Sequence, residues 1–304
     1  MSYPSPWTAA ETAAHLQRPT DNDDKYSRGV VGMRTGSARY PGAAVLGVEA
    51  AWRAGAGMVR YIGPDAAASM VLARRPETVR GSGRVQAWVI GSGMPVGDAD
   101  GDADDDADTE EGAGFADILH GAEPVVVDAG ALGFAGATAP RVLTPHRGEL
   151  ARLRRNLGLS REWSDDASAA RDTAAETGAT VLLKGARTWV ATPGGWLGLV
   201  ESGAPWLSTA GTGDVLAGVV GALVAARSSA VIADPEILGP LAASAAWLHG
   251  AAGRIASGMG PSGRDPERDS DRDSDLDGRA GRGHPLVALE VAEAIPTVWA
   301  RLTA

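Results

Sequence analysis

The sequence contains no cysteine. Disulfides, thiolate nucleophiles and sulfur-built zinc sites are excluded from the start. With only five histidines available, a metal would be held mainly by oxygen, which points to a hard ion such as magnesium. Lysine is almost absent too. Lys25 and Lys184 are the only two, against many arginines. No apolar run approaches the roughly 20 residues that cross a bilayer. The segment 1–11 has neither a basic start nor an apolar stretch, so it is not read as a secretory signal, and a cytoplasmic protein is expected. There is no basic stripe to neutralise phosphates, so nucleic-acid binding is not expected.

The chain is present in quantity where these are missing. Its 304 residues are 44% hydrophobic, enough for one large core. The net charge of −10 is local, because positions 98–111 hold nine acidic residues and no basic one. Without that run the remainder is close to neutral. Segments 97–112 and 262–283 are rich in Asp, Gly, Ala, Ser and Arg and cannot bury enough apolar surface to offset their ordering entropy. Both read as disordered inserts. Neither has the spacing of a calcium-binding EF-hand loop.

Elsewhere, short apolar runs at 58–62, 85–90, 124–127, 142–143 and 180–183 read as strands. Ala-rich segments at 41–55, 166–177, 214–226 and 240–257 read as helices. Alternation of the two predicts an α/β fold, a mostly parallel central sheet with helices on both faces. Segments 187–192 and 196–200, joined by Pro193-Gly194-Gly195, predict an antiparallel hairpin beside it. No internal repeat or linker divides the chain, so 1–304 is read as a single domain.

In an open α/β sheet, ligands bind beyond the carboxyl ends of the strands. Four consecutive strand ends here carry small or polar groups: Gly91-Ser92-Gly93, Asp128-Ala129-Gly130, Thr144-Pro145-His146 and Lys184-Gly185. The most informative segment is Thr209-Ala210-Gly211-Thr212-Gly213-Asp214, which opens a long apolar helix. Glycines there let backbone N–H groups converge on an anion, and the helix dipole adds positive potential. Asp214 either takes a proton from a hydroxyl that attacks a phosphoryl group, or caps a buried helix. The phosphate-loop signature Gly-x4-Gly-Lys-Ser/Thr is absent. Glu149 either holds a magnesium-bound water or completes a cap with Thr144 or nearby backbone. Lys184 either reaches a nucleotide phosphate or is a solvated strand-end lysine. His249 reads as a satisfied helix histidine.

The ordered set Tyr40-Pro41-Gly42-Ala43-Ala44, Gly91-Ser92-Gly93, Asp128-Ala129-Gly130-Ala131-Leu132, Thr144-Pro145-His146-Arg147-Gly148-Glu149, Leu183-Lys184-Gly185 and Gly211-Thr212-Gly213-Asp214 resembles the NAD(P)H-hydrate dehydratases of the ribokinase-like superfamily. The likeness extends over about residues 25–257. It implies use of ADP or ATP with Mg2+ to dehydrate the S-epimer of hydrated NADH or NADPH (NADHX, NADPHX). By resemblance, Asp214 is the catalytic aspartate and Gly211, Thr212 and Gly213 form the anion hole. Ala43, Gly93, His146 and Asp214 are the positions matching contacts to the hydrated cofactor. Lys184, Gly185, Ala186, Arg187, Thr188 and Gly213 match contacts to the adenine nucleotide, and Glu149 matches a carboxylate on magnesium-bound water. The resemblance also implies a homo-oligomer and a possible separate epimerase as partner. Two stretches depart from the family pattern, 32–37 and 202–211. The alternatives are a small-molecule alcohol kinase of the same superfamily and a nucleotide-binding protein without catalysis.

Overall fold

The computed structural model describes residues 4–94, 108–134, 137–259 and 283–303. Strands β1 (Val30–Arg34), β2 (Met58–Tyr61), β3 (Val79–Arg80), β4 (Ala87–Ile90), β5 (Val125–Val127), β6 (Arg141–Leu143), β7 (Thr180–Leu183), β8 (Thr188–Ala191) and β9 (Leu197–Val200) make one sheet. Its order is β3-β2-β1-β4-β5-β6-β7-β8-β9. Neighbours from β3 to β7 are parallel, and β8 and β9 run antiparallel as the expected hairpin.

The strands are apolar throughout because both faces are covered. Side chains alternate across the sheet. Val126 and Leu182 enter one core, while Val125, Val127, Val181 and Leu183 enter the other. The first core is closed by α2 (Pro41–Arg53), α3 (Asp65–Arg74), α7 (Thr212–Ala226), α9 (Leu238–Ala256) and α10 (Ala288–Leu302). The second is closed by α4 (Asp108–Leu119), α5 (Arg147–Asn156) and α6 (Asp166–Thr177). Two short helices, α1 (Ala9–His15) and α8 (Ser228–Ala233), complete the set. Helix α7 is buried on all sides from Val215 to Ala225, which suits its lack of any charge after Asp214. Among the described residues, no helix is long and apolar enough to cross a membrane.

Three of the segments read from sequence need comment. The expected insert 97–112 lies mostly outside the described residues, but its last part, 108–112, belongs to α4. The insert expected at 262–283 lies outside them apart from Gly283. Helix α7 begins two residues earlier than expected, so Thr212 and Gly213 are helical.

The parallel arrangement places the carboxyl ends of β1 and β4 to β7 in one row. Strand order reverses at β1, which has β2 on one side and β4 on the other. Beyond them, the Gly36 N–H donates to the Ser92 carbonyl at 2.7 Å, tying the two loops of this switch point together.

Candidate active site

Asp128 directly follows β5 and is only 2% exposed. A buried carboxylate is costly unless it is paired and hydrogen-bonded. Here three neighbouring strand ends supply the partners. Ser92 Oγ donates to Asp128 Oδ2 at 2.8 Å, and Thr144 Oγ1 donates to Oδ1 at 2.7 Å. The Lys184 ammonium donates to Oδ1 at 2.8 Å. The same ammonium lies 3.7 Å from Glu149 Oε2. Burial alone would lower the Lys184 pKa, but the Asp128 and Glu149 carboxylates outweigh it and hold the group above its ordinary value. Lys184 is thus a fixed cation and not a solvated strand-end lysine. Its backbone N–H donates to the Pro145 carbonyl at 2.8 Å, which carries the β6–β7 pairing into the site.

His146 caps α5. Its Nδ1 accepts from the N–H groups of Gly148 and Glu149 at 3.0 and 3.2 Å. Glu149 Oε2 accepts the His146 N–H at 2.7 Å, closing a reciprocal box. With Nδ1 accepting, the neutral ring carries its proton on Nε2.

The left-handed Gly211, φ +91°, precedes α7, and Asp214 sits in the first turn without a side-chain capping bond. Its carboxylate accepts no hydrogen bond from a described residue. It is therefore not a helix cap. Burial pushes its pKa up to about 7, the Asp128 charge adds to the rise, and Lys184 opposes it.

A cavity of about 700 Å3 opens beside Lys184 and His146, while Asp128, Glu149 and Asp214 are not among its lining residues. Lys184, Gly185, Ala186 and Thr188 form one wall, and Thr212 and Gly213 face it. His146 also lines it. Arg187, expected with its neighbours, turns away: its guanidinium pairs with Glu201 at 2.9 Å and stacks over Trp189. Ala43 and Gly93 meet outside this cavity. An added Cβ on Gly93 would stand 2.3 Å from Ala43 Cβ, so the β4 loop rests on the start of α2. Asp214 is beside that same helix, since a Cβ on Gly211 would meet Leu46 of α2 at 2.6 Å and Asp214 Oδ2 at 4.0 Å.

His249 corrects the sequence reading. It is 7% exposed and borders the cavity, yet its Nε2 is buried with no hydrogen-bond partner. Burial holds its pKa down to about 4, with the Thr212 backbone opposing and the Lys184 charge adding to the drop.

Three residues at the centre escaped the sequence reading as site residues: Asp128, Ser92 and Thr144. The signal was a lone acid directly after the all-apolar Val125–Val127. Ala129, next in sequence, is the one non-glycine residue with positive φ among the described residues, at +43°, so the turn out of β5 is strained.

A mostly parallel sheet between two helical layers, with a glycine turn and a buried helix closing a polar cleft at the strand ends, defines a ribokinase-like α/β protein. A ribokinase-like superfamily protein from Enterococcus faecalis V583 shares this fold, with TM-score 0.73 and 21% identity over 97% of this chain and 95% of that one. The chain belongs to the NAD(P)H-hydrate dehydratase family, whose model matches residues 31–260. It is 43% identical to the bifunctional NAD(P)H-hydrate repair enzyme Nnr of Mycobacterium tuberculosis (strain H37Rv), over 71% of this chain and 45% of the relative. The chain thus spans about half the length of those bifunctional relatives. It is 34% identical to the ADP-dependent (S)-NAD(P)H-hydrate dehydratase of Neisseria meningitidis serogroup B, over 77% of this chain and 79% of that protein. The solved ADP/ATP-dependent NAD(P)H-hydrate dehydratase from Bacillus subtilis, co-crystallised with ATP/Mg2+, superposes with TM-score 0.75 at 26% identity, covering 98% of both chains.

Proposed function

We propose that this protein uses ADP or ATP to dehydrate the S-epimer of hydrated NADH or NADPH, with Asp214 as general base. The observation carrying the proposal is a carboxyl group poised near pH 7, free of hydrogen bonds from described residues, at the head of a glycine turn that faces a fixed lysine. A general base works best when its pKa lies near the working pH.

In the proposed reaction, the ring hydroxyl attacks the nucleotide's terminal phosphoryl group while Asp214 takes the hydroxyl proton. The shortened nucleotide leaves. The ring nitrogen lone pair then expels phosphate, and loss of a proton from the adjacent carbon restores the dihydropyridine. The amides of the 211–213 turn and the Lys184 ammonium stabilise charge on the transferred group, a contribution of roughly 3 kcal/mol per well-placed donor. The nucleotide is assigned to the cavity between the 184–188 loop and Thr212-Gly213. The hydrated nicotinamide is assigned to the side of Asp214 nearer Ala43 and Gly93, with His146 at the border.

The described residues hold no group of three His, Asp or Glu able to bind a metal. Glu149 spends Oε2 on the His146 N–H and faces the Lys184 cation. The phosphates of the nucleotide would supply most of the magnesium ion's ligands, with Glu149 as the carboxylate for one of its waters, and the ion would neutralise phosphoryl charge there.

The test incubates hydrated NADH with the protein, magnesium and ADP or ATP, and follows recovery of reduced-nicotinamide absorbance. Recovery with release of inorganic phosphate is expected. The variant Asp214→Asn should lose on the order of 100-fold or more in rate. A stable phosphorylated product would instead identify an alcohol kinase, and unchanged turnover in the variant would remove Asp214 from the chemistry.

A further inference from the structure

We propose that Asp128 is the positioning residue of this site, fixing the Lys184 ammonium beneath the glycine turn so that it meets the phosphates of a nucleoside diphosphate or triphosphate. The idea rests on the nucleotide-dependent reading above, but its test needs only nucleotide binding and not the repair reaction.

Asp128 itself is placed to hold, and not to react. Its two oxygens take three donors, from Ser92, Thr144 and Lys184, each at 2.7 or 2.8 Å. At 2% exposure it cannot swing out to a substrate. Four adjacent strands, β4 to β7, each contribute one of these groups from their carboxyl ends, so the carboxylate is located by the sheet itself. Lysine has a four-carbon stem and rotates freely unless its nitrogen is anchored. Here the nitrogen is anchored, and the other side of it faces the turn: a Cβ on Gly213 would stand 3.6 Å from Lys184 Nζ. Lys184 also lines the cavity directly. The ammonium is therefore shared between a carboxylate floor and a space bordered by backbone amides. Around metal sites, losing a partner that orients a ligand in this way typically costs about 10–100-fold in affinity. The other charged groups acting on Lys184 are Glu149, at 3.7 Å, and Asp214, both more weakly placed than Asp128.

The composition supplies an unusual probe. Lys25 is exposed and Lys184 is the other lysine of the chain. Protein labelled with 15N and 13C in lysine alone therefore gives two side-chain NMR signals. In the wild type, the Lys184 ammonium should show slow proton exchange and a shift distinct from Lys25, and ADP should move it while leaving Lys25 in place. In Asp128→Asn, a near-isosteric change, the Lys184 signal should approach that of Lys25. The ADP dissociation constant, measured by calorimetry, should rise on the order of tenfold or more. Thr144→Val keeps the charge but removes one anchor, and should move both readouts part of the way. Should Asp128→Asn fail to fold, Thr144→Val decides the matter. An unaltered Lys184 signal and ADP affinity in these variants would overturn the proposal. If ADP binds and shifts Lys184 as expected but no hydrated cofactor is repaired, the proposed function fails and the positioning role stands.

Discussion

Gly213 faces Lys184 across the mouth of the cavity, so that a Cβ on Gly213 would meet the lysine nitrogen at 3.6 Å and nothing else. Its φ is not in the left-handed region, and it lies inside α7. Alanine is therefore sterically permitted and slightly favours the helix. The methyl group would nonetheless stand between the turn's amides and an incoming phosphate. Gly213→Ala is expected to keep the melting temperature of the wild type while ADP binding weakens by about tenfold or more. Gly211→Ala should behave in the opposite sense. Its φ of +91° and the 2.6 Å approach to Leu46 make any side chain strained there, and roughly 1–3 kcal/mol of stability should be lost in chemical denaturation.

Asp214 should impose its titration on both rate and stability. With a folded pKa of about 7, raised by burial and then by Asp128, the proposed base loses its proton only near neutrality. The plot of log kcat/KM against pH is expected to rise with unit slope below pH 7 and to level off above it. For stability the sign is fixed by the direction of the shift. The folded state binds the Asp214 proton more tightly than the unfolded chain does. The resulting stabilisation is complete below about pH 3.8 and is lost as pH rises through 7. Asp214→Asn should therefore be more stable than the wild type at pH 8, on the order of 4 kcal/mol, and should converge with it toward pH 4. Urea unfolding of the two proteins at pH 4.5, 6 and 8 checks the trend. A constant difference across that range would show that the carboxyl is not perturbed.

Gly93 lies in the half of the proposed site assigned to the hydrated nicotinamide. It has φ +68°, and a Cβ would stand 2.3 Å from Ala43 Cβ and 3.0 Å from the Tyr40 carbonyl. Replacing it with alanine must push the start of α2 away from the β4 loop, while the wall formed by 184–188 is untouched. The expected result for Gly93→Ala is a raised KM for the hydrated cofactor with ADP affinity close to that of the wild type. Equal losses on both would place the nucleotide nearer α2 than proposed.

The sheet was largely legible because parallel strands covered on both faces must be apolar along their whole length. Segments 58–62, 124–127 and 180–183 differ from β2, β5 and β7 by one residue at most. What escaped includes β1, where Gly32 and Arg34 interrupt the apolar run, and the 10-residue α3; the rest is short or exposed. Strand β3 is the two residues Val79 and Arg80, both exposed, and α1 and α8 span only seven and six residues. In the site, spacing left Glu149 open between capping and a metal role, and only coordinates reveal that its oxygen meets the His146 N–H. Arg187 lies in the middle of the loop expected to hold nucleotide, but sequence order does not say which side chains of a loop turn outward. Local pattern marks Asp128 as a lone acid at a strand end, but not what it holds. Its partners at 92, 144 and 184 become neighbours only when four strands are laid side by side.

His249 carries a further pH dependence, opposite in sign to that of Asp214. Its folded pKa lies at about 4, lowered from 6.5 chiefly by burial. Above pH 6.5 the ring is neutral in folded and unfolded chains alike and has no effect on their balance. Between 6.5 and 4 the unfolded chain takes up a proton that the folded one refuses, so stability falls as the solution is acidified. The difference should reach roughly 2–3 kcal/mol near pH 4. Nε2 also lacks a partner, and an unsatisfied buried polar atom costs about 1–3 kcal/mol. Replacing the ring with an apolar side chain removes both penalties, gives up the ring's hydrogen bond with the Thr212 backbone and adds the cost of imperfect packing. His249→Leu is thus expected to match the wild type at pH 7 to within about 1 kcal/mol and to exceed it in stability at pH 4.5. Urea midpoints of both proteins at the two pH values give the answer. Parallel acid losses in wild type and variant would mean that His249 is protonated in the folded state, with an acceptor for Nε2 close at hand.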